Sequence, residues 1–298
     1  MERRKLVKAG PSSHTVSLPK QWLVKHKLGK GSSVVMIEQG SGVYITPDPQ
    51  SLKPETREKN IEVDKKAIDT LGRELASAYM NNYSTIVFSG EQVESKAKEL
   101  RRLLRDFAGL EIIEQGARTL VAQDLLNLKD VSIDKTLRRM DMTVRSMFDD
   151  SMAGSSETIA LRDYDVNRMF FLVSRLVRGS LHDSALAAHF GMTNDQLFAS
   201  WRFANALEAI ADALKNAVTL GLKHNETCKS IDVLYRDVVK AYFSNDALLA
   251  DSVARRRDVK LPGAKTPSHT ELNSQFRRML DEIGAISLVV IDNSESTR

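Results

Sequence analysis

Apolar positions along the chain change their period twice, and each change marks a different kind of structure. Over residues 1–48 the pattern is short and alternating. Residues 5–9 (KLVKA) and 15–18 (TVSL) read as two short strands on either side of the turn Gly10-Pro11-Ser12-Ser13, because alternation puts every second side chain on one face. Pro19 suits the opening of a helix, and the spacing predicts that helix over 21–27, ended by Leu28-Gly29. Gly29-Lys30-Gly31 then makes a tight turn. Residues 34–38 and 43–46 alternate again around Gln39-Gly40-Ser41-Gly42, the pattern of a hairpin. One β-β-α-β-β unit of this size buries too little apolar surface to stand alone, so a second copy is expected against it.

Pro47, Pro49 and Pro54 interrupt the next stretch, which reads as a linker. Beyond it the order becomes β-α-β-α-β-β: a strand at Ile61 and Val63, a helix over 65–81, a strand over 84–89, a helix over 93–107, and strands over 110–114 and 119–123. Ser89 with Gln92 has capping-box spacing ahead of the second helix. This order gives an α/β layer domain at 56–127. After Leu128 the strand pattern stops. Apolar residues recur at helical spacing over 133–152, 156–181, 194–222, 230–244, 246–257 and 271–291, and Thr193/Gln196 and Ser268/Glu271 mark two helix starts. Six helices with short links predict an antiparallel bundle over 130–293. The expected fold is therefore multidomain: a small β-rich module at 1–48, the α/β layer, then an all-α bundle.

Composition changes this picture little. Hydrophobic residues make up 42% and charged residues 28% of the 298, which suits ordinary packed domains. No apolar run approaches the roughly 20 residues of a membrane span, and the start, MERRKLVKAG, lacks the apolar core of a signal peptide. A cytoplasmic protein without membrane insertion is expected. The single cysteine, Cys228, excludes an internal disulfide and a cysteine-based zinc site, and it reads as a buried thiol.

Charge changes the picture more. Residues 1–30 hold eight of the 43 Lys and Arg but one of the 39 acids, leaving 35 basic and 38 acidic residues for the rest. A net +7 on a small module points to a polyanion, most commonly nucleic acid. Arg3, Arg4, Lys5 and Lys8 cluster beside the first strand, and Lys20 sits at the helix start, where anions are favoured. Ser12, Ser13 and His14 are short polar groups at the turn, able to reach phosphates or base edges; His14 serves equally as a donor within the turn. These eight residues are the candidate DNA contacts. The Leu28–Ser33 stretch, LGKGSS, lacks the spacing and the strand-loop-helix order of a nucleotide-binding P-loop.

The ordered set of Gly10, Ser12-Ser13, Val16-Ser17-Leu18-Pro19-Lys20, Trp22, Leu28-Gly29, Lys30-Gly31 and the two following strands resembles the SpoVT/AbrB swapped-hairpin DNA-binding domain along residues 3–47. One departure is Ser32, where many members carry Asp. The resemblance implies a homodimer with interlocked hairpins whose basic residues lie on double-stranded DNA.

Arg162-Asp163-Tyr164-Asp165-Val166-Asn167-Arg168 and Leu207-Glu208-Ala209-Ile210-Ala211-Asp212 resemble the PhoU family, known from regulation of phosphate uptake. An AbrB-like module, an α/β insert and PhoU-like helices in one chain is the arrangement of archaeal PhoU-like regulators. In that family an acidic pair at i, i+4 holds metal clusters. Glu208 and Asp212 match the pair, and Asp163 matches its first member on the preceding helix, whereas Asn167 replaces the expected Asp. Asp163, Glu208 and Asp212 are thus the candidate ligands for a divalent metal or iron. The same spacing also fits a polar stripe on an amphipathic helix, with Lys215 placed to relieve Asp212. In a second repeat starting near Ser230, Asp281 is present but Ala285 stands where the second acid belongs.

His182 and His189, seven apart, share a face only if one helix runs through both, which Gly191 and the nearby loop residues oppose. Met140, Met147 and Met152 read as core fillers. No Ser/His/Asp set or HExxH motif accompanies the acids, so a non-enzymatic protein is expected. Three functions remain open: a transcriptional regulator of phosphate homeostasis, an adaptor that acts on a phosphate transporter or signalling kinase through protein contact, and a metal-dependent enzyme using the acidic cluster, which no nucleophile or base accompanies.

Overall fold

A computed structural model describes residues 3–39, 42–48, 57–153, 156–222, 226–259, 261, 263 and 266–296. The chain divides into two compact units, Met1–Glu55 and Thr56–Arg298. The turn at Gly40-Ser41 and most of the proline-rich linker lie outside the described residues.

In the first unit, β1 (Val7–Lys8) and β2 (His14–Thr15) form a short antiparallel pair, Val7 opposite Thr15 and Lys8 opposite His14. Helix α1 (Lys20–Lys25) follows Pro19, whose extended backbone (ψ 128°) sits just outside the helix rather than in its first turn. The helix stops two residues earlier than its apolar pattern suggests. Lys27 turns left-handed at φ 53°, its N–H bonding to Val24 and that of Leu28 to Leu23, a Schellman closure built without glycine. Strands β3 (Val34–Gln39) and β4 (Gly42–Pro47) pair antiparallel from Val34–Pro47 to Gln39–Gly42. No described residue of this unit is buried. Leu6, Val24 and Met36 are 69%, 68% and 64% exposed, and Val7, Val43 and Tyr44 also face outward.

The second unit opens with β5 (Glu58–Glu62), α2 (Ile68–Met80), β6 (Thr85–Ser89), α3 (Ala97–Leu104), β7 (Leu110–Gln115) and β8 (Thr119–Asp124). The sheet order is β5-β6-β8-β7, with β5 parallel to β6 and the other pairs antiparallel. Ile61, Ile86, Phe88, Leu120 and Ala122 alternate along the strands and bury one sheet face against Leu71, Leu75 and Leu100 of the two helices. The expected capping box at Ser89/Gln92 does not form. Ser89 ends a strand and donates to Asn60, while Asp64 takes the N–H groups of Glu91 and Gln92. Those residues are held in turns, so α3 begins only at Ala97.

A 3₁₀ turn (Leu128–Asp130) leads into α4 (Ile133–Ala153), α5 (Ser156–His182), α6 (Ser184–Phe190), α7 (Asn194–Thr219), α8 (Glu226–Ser244), α9 (Ala247–Arg256) and α10 (Pro267–Ser296). Helix α7 packs against α4, α5 and α10. Seven of its buried residues are alanines (199, 204, 206, 209, 211, 213 and 217), small enough to let neighbouring helices approach on several sides at once. Met140 and Met147 are fully buried and Met152 partly so. The Thr193–Gln196 capping box forms in full. The other expected box does not start its helix: Thr266 Oγ1 accepts from His269 N–H, and Pro267 occupies the first helical position. Among the described residues the expected six helices become seven, because Asp183 caps the additional α6.

The α/β layer and the helices pack into one body. Arg175 of α5, 3% exposed, donates to Asn82 at 2.8 Å, pairs with Asp124 and lies over the Tyr79 ring. Phe107 meets Phe171 at 4.9 Å. Gly179 makes the close approach possible, since a Cβ there would come within 2.9 Å of Asn82 Nδ2.

Candidate nucleic-acid interface and acidic helix cluster

The eight candidate DNA contacts are all exposed. Arg3, Arg4 and Lys5 lead into β1. Lys8 ends β1 directly opposite His14. The connecting turn closes through Ala9 N–H to Ser13 O at 3.0 Å, which leaves the Ser12 and Ser13 side chains exposed. Lys20 is the first residue of α1. Arg4 Nη1 lies 3.3 Å from Ser17 Oγ, tying the N-terminal arm to the strand-to-helix step. Among the described residues no carboxylate pairs with Arg3, Lys5, Lys8 or Lys20.

The second candidate set is organised differently. Asp163 lies on α5, and Glu208 and Asp212 lie one turn apart on α7. The structure brings the three together, but two cations come with them. Lys215 Nζ is 2.8 Å from Asp163 Oδ2 and 2.8 Å from Asp212 Oδ1. Arg278 of α10 reaches the second Asp212 oxygen at 2.8 Å. Burial pushes the Asp212 carboxyl up, but the hydrogen bonds from Lys215 and Arg278 outweigh it and hold its pKa below the ordinary value. Burial likewise works against a charged Lys215, and the bonds to Asp163 and Asp212 reverse that and raise its pKa. Glu208 lacks such a bond; burial, then the Asp212 charge, raises its pKa. Asn167 approaches Asp163 at 3.5 Å, adding a neutral donor where an acid was expected. Asp281 is exposed and Ala285 half-buried on α10.

Among the described residues no group of three His, Cys, Asp or Glu is placed to hold a metal ion. The donor set does not fit a metal cluster as arranged, because an ammonium and a guanidinium already occupy its oxygens. His182 and His189 fall on separate helices, and His189 Nε2 lies 2.9 Å from Lys129 O. Cys228 is buried, with its thiol pushed up to about 11 by that burial, and so stays neutral. Sequence spacing identified Lys215 as a partner for Asp212. It carried no sign of Arg278, which arrives from 66 positions away, nor of the buried Arg175–Asp124 pair between layer and bundle.

Comparison with protein-family models, with curated proteins and with solved structures finds no match to this chain. No helix among the described residues is long and apolar enough to cross a membrane.

Proposed function

We propose that the protein is a cytoplasmic, DNA-binding transcriptional regulator that acts as a homodimer. Its N-terminal unit grips double-stranded DNA, and its helical region carries the regulatory input. The observation that carries this reading is the state of the first unit: Arg3, Lys5, Lys8 and Lys20 are exposed without an acidic partner among the described residues, on a scaffold none of whose described residues is buried. Phosphate oxygens satisfy the first and a second copy of the unit satisfies the second. The resemblance of α5 and α7 to the PhoU family ties the input to phosphate uptake.

The test is binding of the full-length protein to duplex DNA between about 50 and 200 mM salt, where several phosphate contacts predict a loss of at least about tenfold in affinity. Sequencing DNA that copurifies with the protein then identifies its sites. Absence of DNA binding at low salt overturns the reading and leaves the adaptor function in its place.

A further inference from the structure

Three successive arginines end α9, and they are not used alike. Arg255 pairs with Asp251, and Arg256 with Asp237. Arg257 is the least exposed of the three, yet its guanidinium has no hydrogen-bond or ion-pair partner among the described residues. A cation at a helix C-terminus usually rests near the last carbonyls. The Arg257 side chain instead lies across α10 at the buried Gly284: a Cβ built there would overlap Arg257 Nη1, and its three nearest atoms would all belong to Arg257. The missing side chain of Gly284 thus makes the seat for this guanidinium. Helix α10 repeats the contrast, since Arg278 is held by Asp212 whereas its neighbour Arg277 has no partner among the described residues.

Both unmatched arginines line one open cavity of about 590 Å³, with Arg255, Asp258, Asp281 and the apolar Leu261 and Leu280. That volume suits a small organic ligand. A partly buried guanidinium without acceptors is costly unless a ligand supplies oxygens, and its planar fork matches a phosphoryl group. Asp258 and Asp281 form no ion pair with either arginine among the described residues. They disfavour a bare polyanion and suit a ligand that also brings hydroxyl or amino donors. The two leucines offer a wall for the face of a ring. We propose that this cavity binds a nucleotide, with its phosphoryl group at Arg257 and Arg277, its sugar hydroxyls or base amino group at Asp258 and Asp281, and its base against the leucines. The cavity lies wholly within the second unit, so the inference is independent of DNA binding by the first.

Isothermal titration of the full-length protein with AMP tests it, with adenosine and inorganic phosphate as separate titrants. The wild-type chain is expected to bind one AMP per chain with Kd below about 0.1 mM, and each fragment at least about tenfold more weakly. Arg257→Gln is expected to weaken AMP binding at least about tenfold. Gly284→Ala should do the same with every charge in place, because the new methyl displaces the guanidinium. Its melting temperature should not fall, since alanine favours a helix more than glycine does. Arg256→Gln removes the same charge next door, outside the cavity, and should change AMP affinity by less than about twofold. Should Gly284→Ala not fold, Arg257→Gln compared with Arg256→Gln decides. No binding of AMP to the wild-type chain overturns the proposal. So does binding that Arg257→Gln leaves intact, or that Arg256→Gln weakens equally, which would show only a diffuse positive surface. Adenosine or inorganic phosphate bound as tightly as AMP overturns it too, because part of the lining would then go unused.

Discussion

Helix α1 and helix α7 show how differently two parts of this chain satisfy the same physical demands. Helix α1 has six residues and buries none of them. Helix α7 has 26 and buries half, on several sides, against α4, α5 and α10 and, through Phe203, α8. The charges divide in the same way. Around α7 Asp163, Asp212, Lys215 and Arg278 pair with one another, whereas Arg3, Lys5, Lys8 and Lys20 have no acidic partner among the described residues. A region that completes its packing and its charge balance internally carries the stability of the fold. On the proposed reading, one that leaves both open is completed by DNA and a second copy.

The largest effect that could break this contrast lies in α7. Phe203 is fully buried, stacked on Tyr242 with centroids 3.7 Å apart and edge-on to Phe243. Phe203→Ala should cost about 3–5 kcal/mol, through lost burial and the cavity left behind. Thermal or urea unfolding measures it. A loss below about 1 kcal/mol would mean that the helical core is looser than its burial indicates.

The opposite probe belongs in the first unit. Met36 of β3 is 64% exposed, so in a lone unit Met36→Glu should change stability by less than about 0.5 kcal/mol. Against a second copy it would press a charge into an apolar interface, costing about 2 kcal/mol or more. Sedimentation velocity of the full chain is expected to show a dimer that the substitution weakens. An unchanged oligomer would show that this apolar face is simply exposed.

A smaller effect concerns charge alone. Replacing Arg3 and Arg4 together by Ala should lower DNA affinity to a similar degree for all sequences and reduce the magnitude of the salt slope by about 2, one unit for each lost phosphate contact. If affinity falls at one sequence only, these side chains read bases instead.

How much of this was legible in the chain depends on the range of the interaction. Apart from α6, the order of strands and helices followed from periodicity, because which face is buried is written locally. Boundaries failed where a few hydrogen bonds decide them. Lys27, Asn82 and Asn245 adopt left-handed backbone at helix ends, a task for which glycine is the usual sign. Asp64 supplies the N–H acceptor that spacing assigned to Ser89. Thr266, not Ser268, supports the start of α10. For the acidic set, helical spacing placed Glu208, Asp212 and Lys215 on neighbouring positions of α7. It could not place Arg278 or the Asp163–Lys215 bond, because these depend on how α5, α7 and α10 pack, which no local pattern encodes.

The smallest expected effect sharpens the contrast from inside the better satisfied region. Glu208 is the carboxyl there that neither Lys215 nor Arg278 binds directly. Burial opposes its ionisation most, the Asp212 charge and then Asp163 add to it, and Arg278 and Lys215 only partly offset them. Its folded-state pKa is therefore raised above the unfolded value. Such a group contributes stability that is fully present below the ordinary glutamate range and is lost as pH rises through the folded value. At pH 7 the ionised Glu208 thus works against folding, and Glu208→Gln, which keeps the shape without the charge, should stabilise the protein. The gain should stay below about 1 kcal/mol, because the group is partly solvated and the repulsion is screened. It should shrink as pH falls into the carboxylate range, where wild-type Glu208 is itself protonated. Asp212→Asn should act in the opposite direction at pH 7, since its ionised form is the one that Lys215 and Arg278 hold. Melting temperatures of the two variants against pH give the comparison directly. Equal and pH-independent shifts would mean that the cluster is too open to solvent for its charges to matter, and that the helical region balances them no more carefully than the first unit does.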